Sequence, residues 1–354
     1  MSFKPHFTIT PEINTCIAEI EKIRTIVAHS HILPEIELHL RFRATVEAAY
    51  SSTTIEGNPL NRKQVEQVIT GQPINAPDYA IREVSNYMQA LNWLNKQTTQ
   101  QSEINKSSIL MLHRLTMSEL LPKEKVGQWR PGNVYIVNEK NHQETVQYTG
   151  PKASRIENLI KDLLTWLETQ SKTKNLHPVL VAGIFHYAFV SIHPFSDGNG
   201  RVTRLLTKFY LQLTEYDFRG TFTPDSYYVQ NQLQYYQALS LGNTYDARIR
   251  SDITPFLDFF TKGFLKIAQK LHADITVAGN QSSLGKIVRL DQEEIAILDY
   301  TRQFGSISSS EVQEAFGVPY RTAQRKLANL VIKKLLKRQG SGPATEYVLA
   351  EKTS

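Results

Sequence analysis

The 354-residue sequence has a single cysteine, Cys16, so no disulfide can close within the chain. A lone thiol fits a reducing compartment, and Cys16 lies in an apolar-periodic stretch where it reads as packing. No apolar run is long enough to span a bilayer, and no N-terminal apolar segment resembles a signal peptide. A cytoplasmic location away from membranes is therefore expected. Zinc-type spacings of Cys and His are missing, as is a helical His-Glu-x-x-His pattern. Internal repeats and low-complexity tracts are also missing. Neither sign of charge dominates. The 40 Lys and Arg against 34 Asp and Glu leave a net charge of +6, which permits an acidic ligand or nucleic acid without requiring one. The length suits about two or three domains with a sizeable core.

What is present is mostly helical spacing. Apolar residues recur three or four apart from Thr10 to Glu47, with Pro11 at a helix start and an interruption at Pro34. Residues 62–96 give two patterns around Gly71-Gln72-Pro73, with Tyr87, Leu91 and Leu94 on one face. Further helices are expected over 104–121, 154–168, 179–190 and from Val202 onward. After Thr223 the pattern returns, and a long apolar helix runs from Ile253 to Leu271. His113 and His186 fall on apolar faces and read as core residues. Val134 to Val137 and Thr145 to Tyr148 are rich in β-branched and aromatic residues and predict one hairpin joined by Asn138 to Glu144. By itself the hairpin reads as a structural ribbon, though an exposed edge can also pair with an extended peptide.

The most informative stretch is Ser191-Ile192-His193-Pro194-Phe195-Ser196-Asp197-Gly198-Asn199-Gly200-Arg201-Val202-Thr203-Arg204. It reads as a loop leading into a helix. Gly198 and Gly200 allow the backbone to turn several N–H groups toward one point, where the following helix adds its orphan donors and positive dipole end. Arg201 and Arg204, three apart, stand at that end. His193 is suited to accept a proton at neutral pH. Asp197 offers a hard oxygen to Mg²⁺, which usually binds through one or two carboxylates and substrate phosphates. Together these features describe a phosphate-transfer site.

The same residues resemble a family. His193 to Arg204 matches, position for position, the signature His-Pro-Phe-x-Asp/Glu-Gly-Asn-Gly-Arg-x-x-Arg of Fic proteins, which transfer AMP from ATP to protein hydroxyls. The resemblance implies that His193 is the general base and Asp197 the Mg²⁺ ligand. It implies that Gly198, Asn199, Gly200 and Arg201 hold the α- and β-phosphates and that Arg204 meets the γ-phosphate. It makes the hairpin the flap, so that Val146, Gln147, Tyr148 and Thr149 border the nucleotide and the incoming hydroxyl. A tyrosine pair followed by an asparagine lines the adenine pocket in the family, which points to Tyr236 and Asn243.

A second stretch, Ser51 to Pro59, reads locally as a helix end with Gly57 at the C-cap and Pro59 beyond. A carboxylate at such an end faces the negative dipole, so Glu56 calls for a basic neighbour. The stretch is also similar to the inhibitory pattern Ser/Thr-x-x-x-Glu-Gly/Asn of many Fic proteins, with Ser52, Glu56 and Gly57 in register. There the glutamate pairs with the second signature arginine, here Arg204, and ATP settles unproductively.

Beyond Asp274 the sequence predicts a separate module. Helices are expected over 293–304, 311–316 and 320–332, followed by a hairpin about Gly340-Ser341-Gly342. This order resembles a winged helix-turn-helix, with Arg321, Gln324, Arg325 and Lys326 near the outer face of its third helix. Residues 281–354 carry eleven basic and eight acidic side chains, so DNA binding and protein docking stay equally open.

The expected architecture is mainly α. It has an N-terminal helical region over 1–100 carrying the inhibitory segment and a Fic-type core with its flap over 101–273. A linker is expected over 274–284 and the winged-helix module over 285–354. The expected activity is a Mg²⁺-dependent protein adenylyltransferase acting on Ser, Thr or Tyr hydroxyls. A hydrolase removing AMP, and a DNA-binding regulator with a nucleotide-sensing core, are the alternatives. Self-modification and homodimers are common in the family, and the sequence itself argues for neither.

Overall fold

The first helix, α1 (Pro11–His29), starts where the sequence predicts it. The Thr10 side chain accepts a hydrogen bond from the Ile13 N–H, and Pro11 sits in the first turn, where a missing donor costs little. Its inward stripe of Ile13, Ile20, Ile23 and Val27 is buried against α12 (Thr254–Ser282). The computed structural model describes residues 3–30, 32, 34–100, 102–140, 143–282, 290–340 and 345–350.

Between these two helices the chain forms α2 (Pro34–Ile55), α3 (Arg62–Ile69), α4 (Asp78–Thr99) and α5 (Lys106–Met117). It then makes the hairpin β1 (Tyr135–Lys140) and β2 (Gln143–Thr149), followed by α6 (Ile156–Thr173), α7 (Pro178–Ile192) and α8 (Asn199–Leu213). Three short helices, α9 (Asp225–Gln230), α10 (Gln232–Leu239) and α11 (Tyr245–Arg250), lead into α12. α7 is the axis of the core. Every residue from Val179 to Phe189 is buried, as expected of a helix that is apolar all round. α8 packs along it, α6, α11 and α12 cover its other sides, and α4 and α5 lie against α8. The loop between α7 and α8 is thereby carried on two deeply buried helices.

β1 and β2 pair antiparallel, from Tyr135 opposite Thr149 to Lys140 opposite Gln143. Ile136 faces Tyr148 while Val137 faces Val146, so Gln147 is the extra residue of a bulge. Residues 141 and 142 of the expected connection lie outside the described residues.

The tail contains α13 (Gln292–Phe304), α14 (Ser309–Phe316), α15 (Tyr320–Ile332) and the antiparallel hairpin β3 (Leu336–Gln339) and β4 (Glu346–Leu349). Asp291 and Ser308 close capping boxes at the starts of α13 and α14. Ile297, Leu298, Ile307, Val312, Leu327 and Leu330 form a core of its own, which Leu38 of α2 joins. Residues 341–344, where the hairpin tip is expected, lie outside the described residues.

Two expectations change. The linker predicted over 274–284 is helical as far as Ser282, because Ile275 continues the buried stripe of Leu271 one turn on. Residues 283–289 lie outside the described residues. Lys326 is not on the outer face of α15. It is 8 % exposed, and its ammonium reaches Asp291 and Glu293, both at 2.7 Å, while its stem packs inward. Arg321, Gln324 and Arg325 are exposed as expected.

Candidate active site

His193 ends α7 in the left-handed conformation, with φ 50° and its N–H on the Phe189 carbonyl. A non-glycine residue there needs support from its surroundings, and three side chains supply it. The Asn199 amide spans the loop, accepting from the Phe195 N–H and donating to the Phe195 carbonyl, both at 2.9 Å. His113 of α5 stacks on the buried Phe195 ring at 3.8 Å. Its Nδ1 accepts from the Gly127 N–H, so Nε2 carries the proton and donates to the Asp197 carbonyl at 3.1 Å. Arg130, 4 % exposed, gives one guanidinium to three carbonyls: His193 (2.8 Å), Pro151 (2.6 Å) and Gly132. Its own N–H donates to the Pro194 carbonyl. This residue ties the loop to the base of the hairpin.

α8 begins without a side-chain cap. Gly198, at φ 78°, is its N-cap residue, so the first-turn N–H groups face outward without intrahelical acceptors. Glycine suits 198 on two counts: its φ is left-handed, and a Cβ there would lie 2.6 Å from the buried Met117 Sδ. Arg201 and Arg204 are both buried but turn toward different N-terminal helices. Arg201 reaches Glu83 of α4 at 2.6 Å and Asp197 at 3.3 Å, and its buried Nε–H has no acceptor. Arg204 donates from Nε to the Ser52 hydroxyl (2.9 Å), and its second nitrogen serves the Ser52 carbonyl (2.8 Å) and Glu56 Oε1 (2.7 Å).

α2 stops at Ile55, and Gly57 follows at φ 92°, as a C-cap glycine should. The turn presents Glu56 across to α8. A Cβ built on Gly200 would lie 2.2 Å from Glu56 Oε1, so the carboxylate rests directly on the first turn of α8. One residue past Gly57, Asn58 donates its amide to Glu83 Oε2 at 2.8 Å and to the Ala80 carbonyl.

Burial works against the Glu56 carboxylate, but Arg204, backed by Arg201, outweighs it and holds the carboxyl below the ordinary range. For Glu83 burial prevails and raises the carboxyl, an effect that Arg201 and Asn58 partly offset. Burial, with Arg130 and Arg248 adding to it, pushes His193 down to about 4. The ring is then neutral at physiological pH. Its Nδ1 lies 3.2 Å from the Val190 carbonyl, which can only accept, so Nδ1 carries the hydrogen and Nε2 a lone pair.

The expected flap residues divide. Val146 and Gln147 are exposed, whereas Tyr148 is 1 % exposed, with its hydroxyl on the Ser191 carbonyl and Arg248 3.7 Å over its ring. The Tyr148 side chain therefore anchors the hairpin beneath α7. The Thr149 N–H donates to the Asn243 carbonyl at 2.9 Å, which brings these two candidates together. Tyr235 is core, with its hydroxyl 2.8 Å from His186 Nε2. Tyr236 is 46 % exposed, and its hydroxyl donates to the Ile55 carbonyl at 3.3 Å, next to Glu56. The Asn199 side chain is committed to Phe195, so the loop draws on it as a brace.

Sequence reasoning missed Arg130, Glu83 and Asn58. Glu83 did carry a signal. It sits four residues before Tyr87 on the buried stripe of α4, where an ionised side chain needs a partner. Arg130, in a loop of glycine and proline, carried none.

The Fic/DOC family model matches residues 103–211. Protein adenylyltransferase Fic of Drosophila grimshawi is 31 % identical over 216 residues, covering 59 % of this chain and 39 % of that protein. Protein adenylyltransferase fic-1 of Caenorhabditis elegans is 29 % identical over 218 residues, covering 60 % and 38 %. The chain thus spans about two fifths of the length of these curated relatives. A crystal structure of a Fic family protein from Desulfovibrio desulfuricans superposes on 99 % of this chain and 100 % of its own, with TM-score 0.65 and 26 % identity. Fic-1 from C. elegans shares the fold, with TM-score 0.57 and 24 % identity over 75 % of this chain and 73 % of its own. Glu56 and Glu83 both precede the matched segment, yet their carboxylates reach its two arginines. Residues 103–211 are a Fic/DOC family domain, carried in a fold that this chain shares over nearly its whole length with a Fic family protein.

Proposed function

We propose that the chain is a protein adenylyltransferase held in a low-activity state by Glu56. The observation that carries this reading is the His193 ring, held through Nδ1 on the Val190 carbonyl so that Nε2 can accept a proton, beside an uncapped helix N-terminus and two buried arginines. Similarity over about 60 % of the chain to two proteins named as adenylyltransferases supports it.

In this reading the triphosphate lies along the first turn of α8. The N–H groups of Gly200 and Arg201 and the Arg201 guanidinium meet its inner phosphates, and Arg204 meets its outer one. Val146 and Gln147 on the hairpin and the Tyr236 and Asn243 pair border the nucleotide and the incoming chain. His193 Nε2 takes the proton of a Ser, Thr or Tyr hydroxyl as that oxygen bonds to the α-phosphorus. The bond from that phosphorus to the bridging oxygen of the β-phosphate breaks, and pyrophosphate leaves. Catalysis is chiefly positioning and charge stabilisation. Among the described residues no cluster of three or more metal-ligating side chains exists. Asp197, whose side chain is 56 % exposed at the mouth, fits Mg²⁺ arriving with the triphosphate, since that ion needs only one or two protein carboxylates. When bound, Mg²⁺ would neutralise phosphate charge.

Glu56 opposes this pose in two ways. It occupies the anion-accepting turn of α8 at Gly200, and it pairs with Arg204. Loss of Glu56 would leave Arg204 still aimed by its two bonds to Ser52. The test is incubation of the Glu56→Gly protein with a cell lysate and ATP labelled on either the α- or the γ-phosphate. Label entering protein from the α position alone supports AMP transfer. Label from the γ position, or from neither, rejects it. For the tail, the exposed Arg321, Gln324 and Arg325 on α15 favour duplex DNA as partner.

A further inference from the structure

Arg201 is held from two sides by unequal partners. Glu83 grips it at 2.6 Å, and both side chains are almost wholly buried, at 7 % and 9 % exposure. Asp197 stands at 3.3 Å and is 56 % exposed. The Glu83 carboxylate is itself pinned, because its second oxygen accepts from Asn58. Asn58 is fixed in turn by the Ala80 carbonyl and by the Leu60 N–H on its own Oδ1. This chain of bonds starts from rigid helical backbone and ends on one guanidinium nitrogen. It leaves the Arg201 Nε–H buried without an acceptor. The Nη2 end, which meets the 56 % exposed Asp197 carboxylate at 3.3 Å, is the donor an arriving phosphate oxygen can share.

We propose that Glu83 is the positioning residue for Arg201, fixing the guanidinium so that its remaining donors meet the inner phosphates of the nucleotide. The inference rests on the adenylyltransferase reading above. Glu83 has two opposed effects on the nucleotide. Its negative charge cancels part of the attraction Arg201 exerts on phosphate, so it weakens binding. Its grip removes rotamer freedom from a long side chain, so more bound nucleotide is held in the reactive pose. A carboxylate serving only to stabilise the fold would still weaken binding through its charge, but would leave the reactivity of bound nucleotide unchanged. Asn58 gives the arrangement a second consequence. The turn carrying Glu56 and the carboxylate aiming Arg201 are one hydrogen-bonded unit, so the inhibitory and phosphate-holding groups of the N-terminal helices share one anchor.

The test compares Glu83→Gln and Glu83→Asp, each in the full-length Glu56→Gly protein, by calorimetric titration with ATP and Mg²⁺ and by label transfer from α-labelled ATP into lysate protein. Glutamine keeps the shape and removes the charge. It should bind ATP about threefold to tenfold more tightly, a modest gain because the freed charge is partly screened, yet transfer AMP at least about tenfold more slowly. Aspartate keeps the charge on a shorter stem. It should bind ATP within about twofold of the parent while transferring more slowly, because the retracted carboxylate misaims Arg201. Equal or weaker binding in Glu83→Gln, or unchanged transfer in both variants, overturns the proposal. Should the Glu56→Gly parent bind ATP but label nothing, the adenylyltransferase reading fails, while an unchanged ATP affinity in Glu83→Gln would separately show that Arg201 and Glu83 do not act on bound phosphate.

Discussion

Arg130→Lys isolates the contribution of the guanidinium fork that holds the loop between α7 and α8. Lysine keeps the charge and most of the apolar stem, but its single ammonium can replace only one of three contacts. The carbonyls of His193, Pro151 and Gly132 all depend on Arg130, which is 4 % exposed. Two of them would lose their partner where water enters poorly, at about 1–3 kcal/mol each. A loss of roughly 2–6 kcal/mol follows, lowering the melting temperature by at least about 5 °C in a domain of this size. Function should suffer further, because the released carbonyl belongs to His193 itself. A displacement of about 1 Å at the base costs on the order of a hundredfold in rate. The assay pairs thermal unfolding with AMP transfer, using Arg130→Lys in the Glu56→Gly protein. A melting point within about 1 °C of the parent and transfer within about twofold would show that the fork does not hold the loop.

The buried histidines set a pH dependence. Burial pushes His113 down to about 4 and His186 down to about 3, and both are fully inaccessible. The unfolded chain then binds more protons than the folded one below the ordinary histidine value near 6.5. Stability should fall as pH drops from there toward 4, by on the order of 1–2 kcal/mol per histidine at pH 5. Urea unfolding at pH 7.5 and pH 5 checks this, and equal stability would contradict it. His193, held near 4, should keep kcat/KM for the Glu56→Gly enzyme level through pH 6; half-loss at pH 6.5 would mean an ordinary, solvated base. For the tail, Arg321→Glu with Arg325→Glu should abolish duplex-DNA binding that weakens steeply with salt. Salt-independent binding would point to another partner.

Much of this site is legible in the sequence because its chemistry is local. The run from His193 to Arg204 contains the histidine proposed as base, the glycines of the turn, the carboxylate and both arginines, and helix signals on either side place it between α7 and α8. Ser52, Glu56 and Gly57 are legible for the same reason, as a helix end whose carboxylate needs a cation. What the sequence hides is pairing across distance. Nothing local indicates that Arg130 supports a carbonyl 63 residues away, or that Glu83 meets Arg201 across 118. The side of a residue within a helix is also legible only as far as the pattern is apolar. Lys326 reads as an outer-face cation, yet two acids at the start of α13 draw it inward. The linker expected after Asp274 misled in the opposite direction: a polar stretch stays helical because Ile275 extends a buried stripe already in place.

The account depends on Glu56 keeping Arg204 and the first turn of α8 from the nucleotide. Single-turnover transfer from α-labelled ATP, measured side by side for the natural protein, Glu56→Gly and Glu56→Gly with His193→Ala, tests that most directly. The account predicts little label with the natural protein, a rise of at least about tenfold on losing Glu56, and near-background label once His193 is also gone. Equal labelling by the natural protein and Glu56→Gly, or strong labelling without His193, would contradict it.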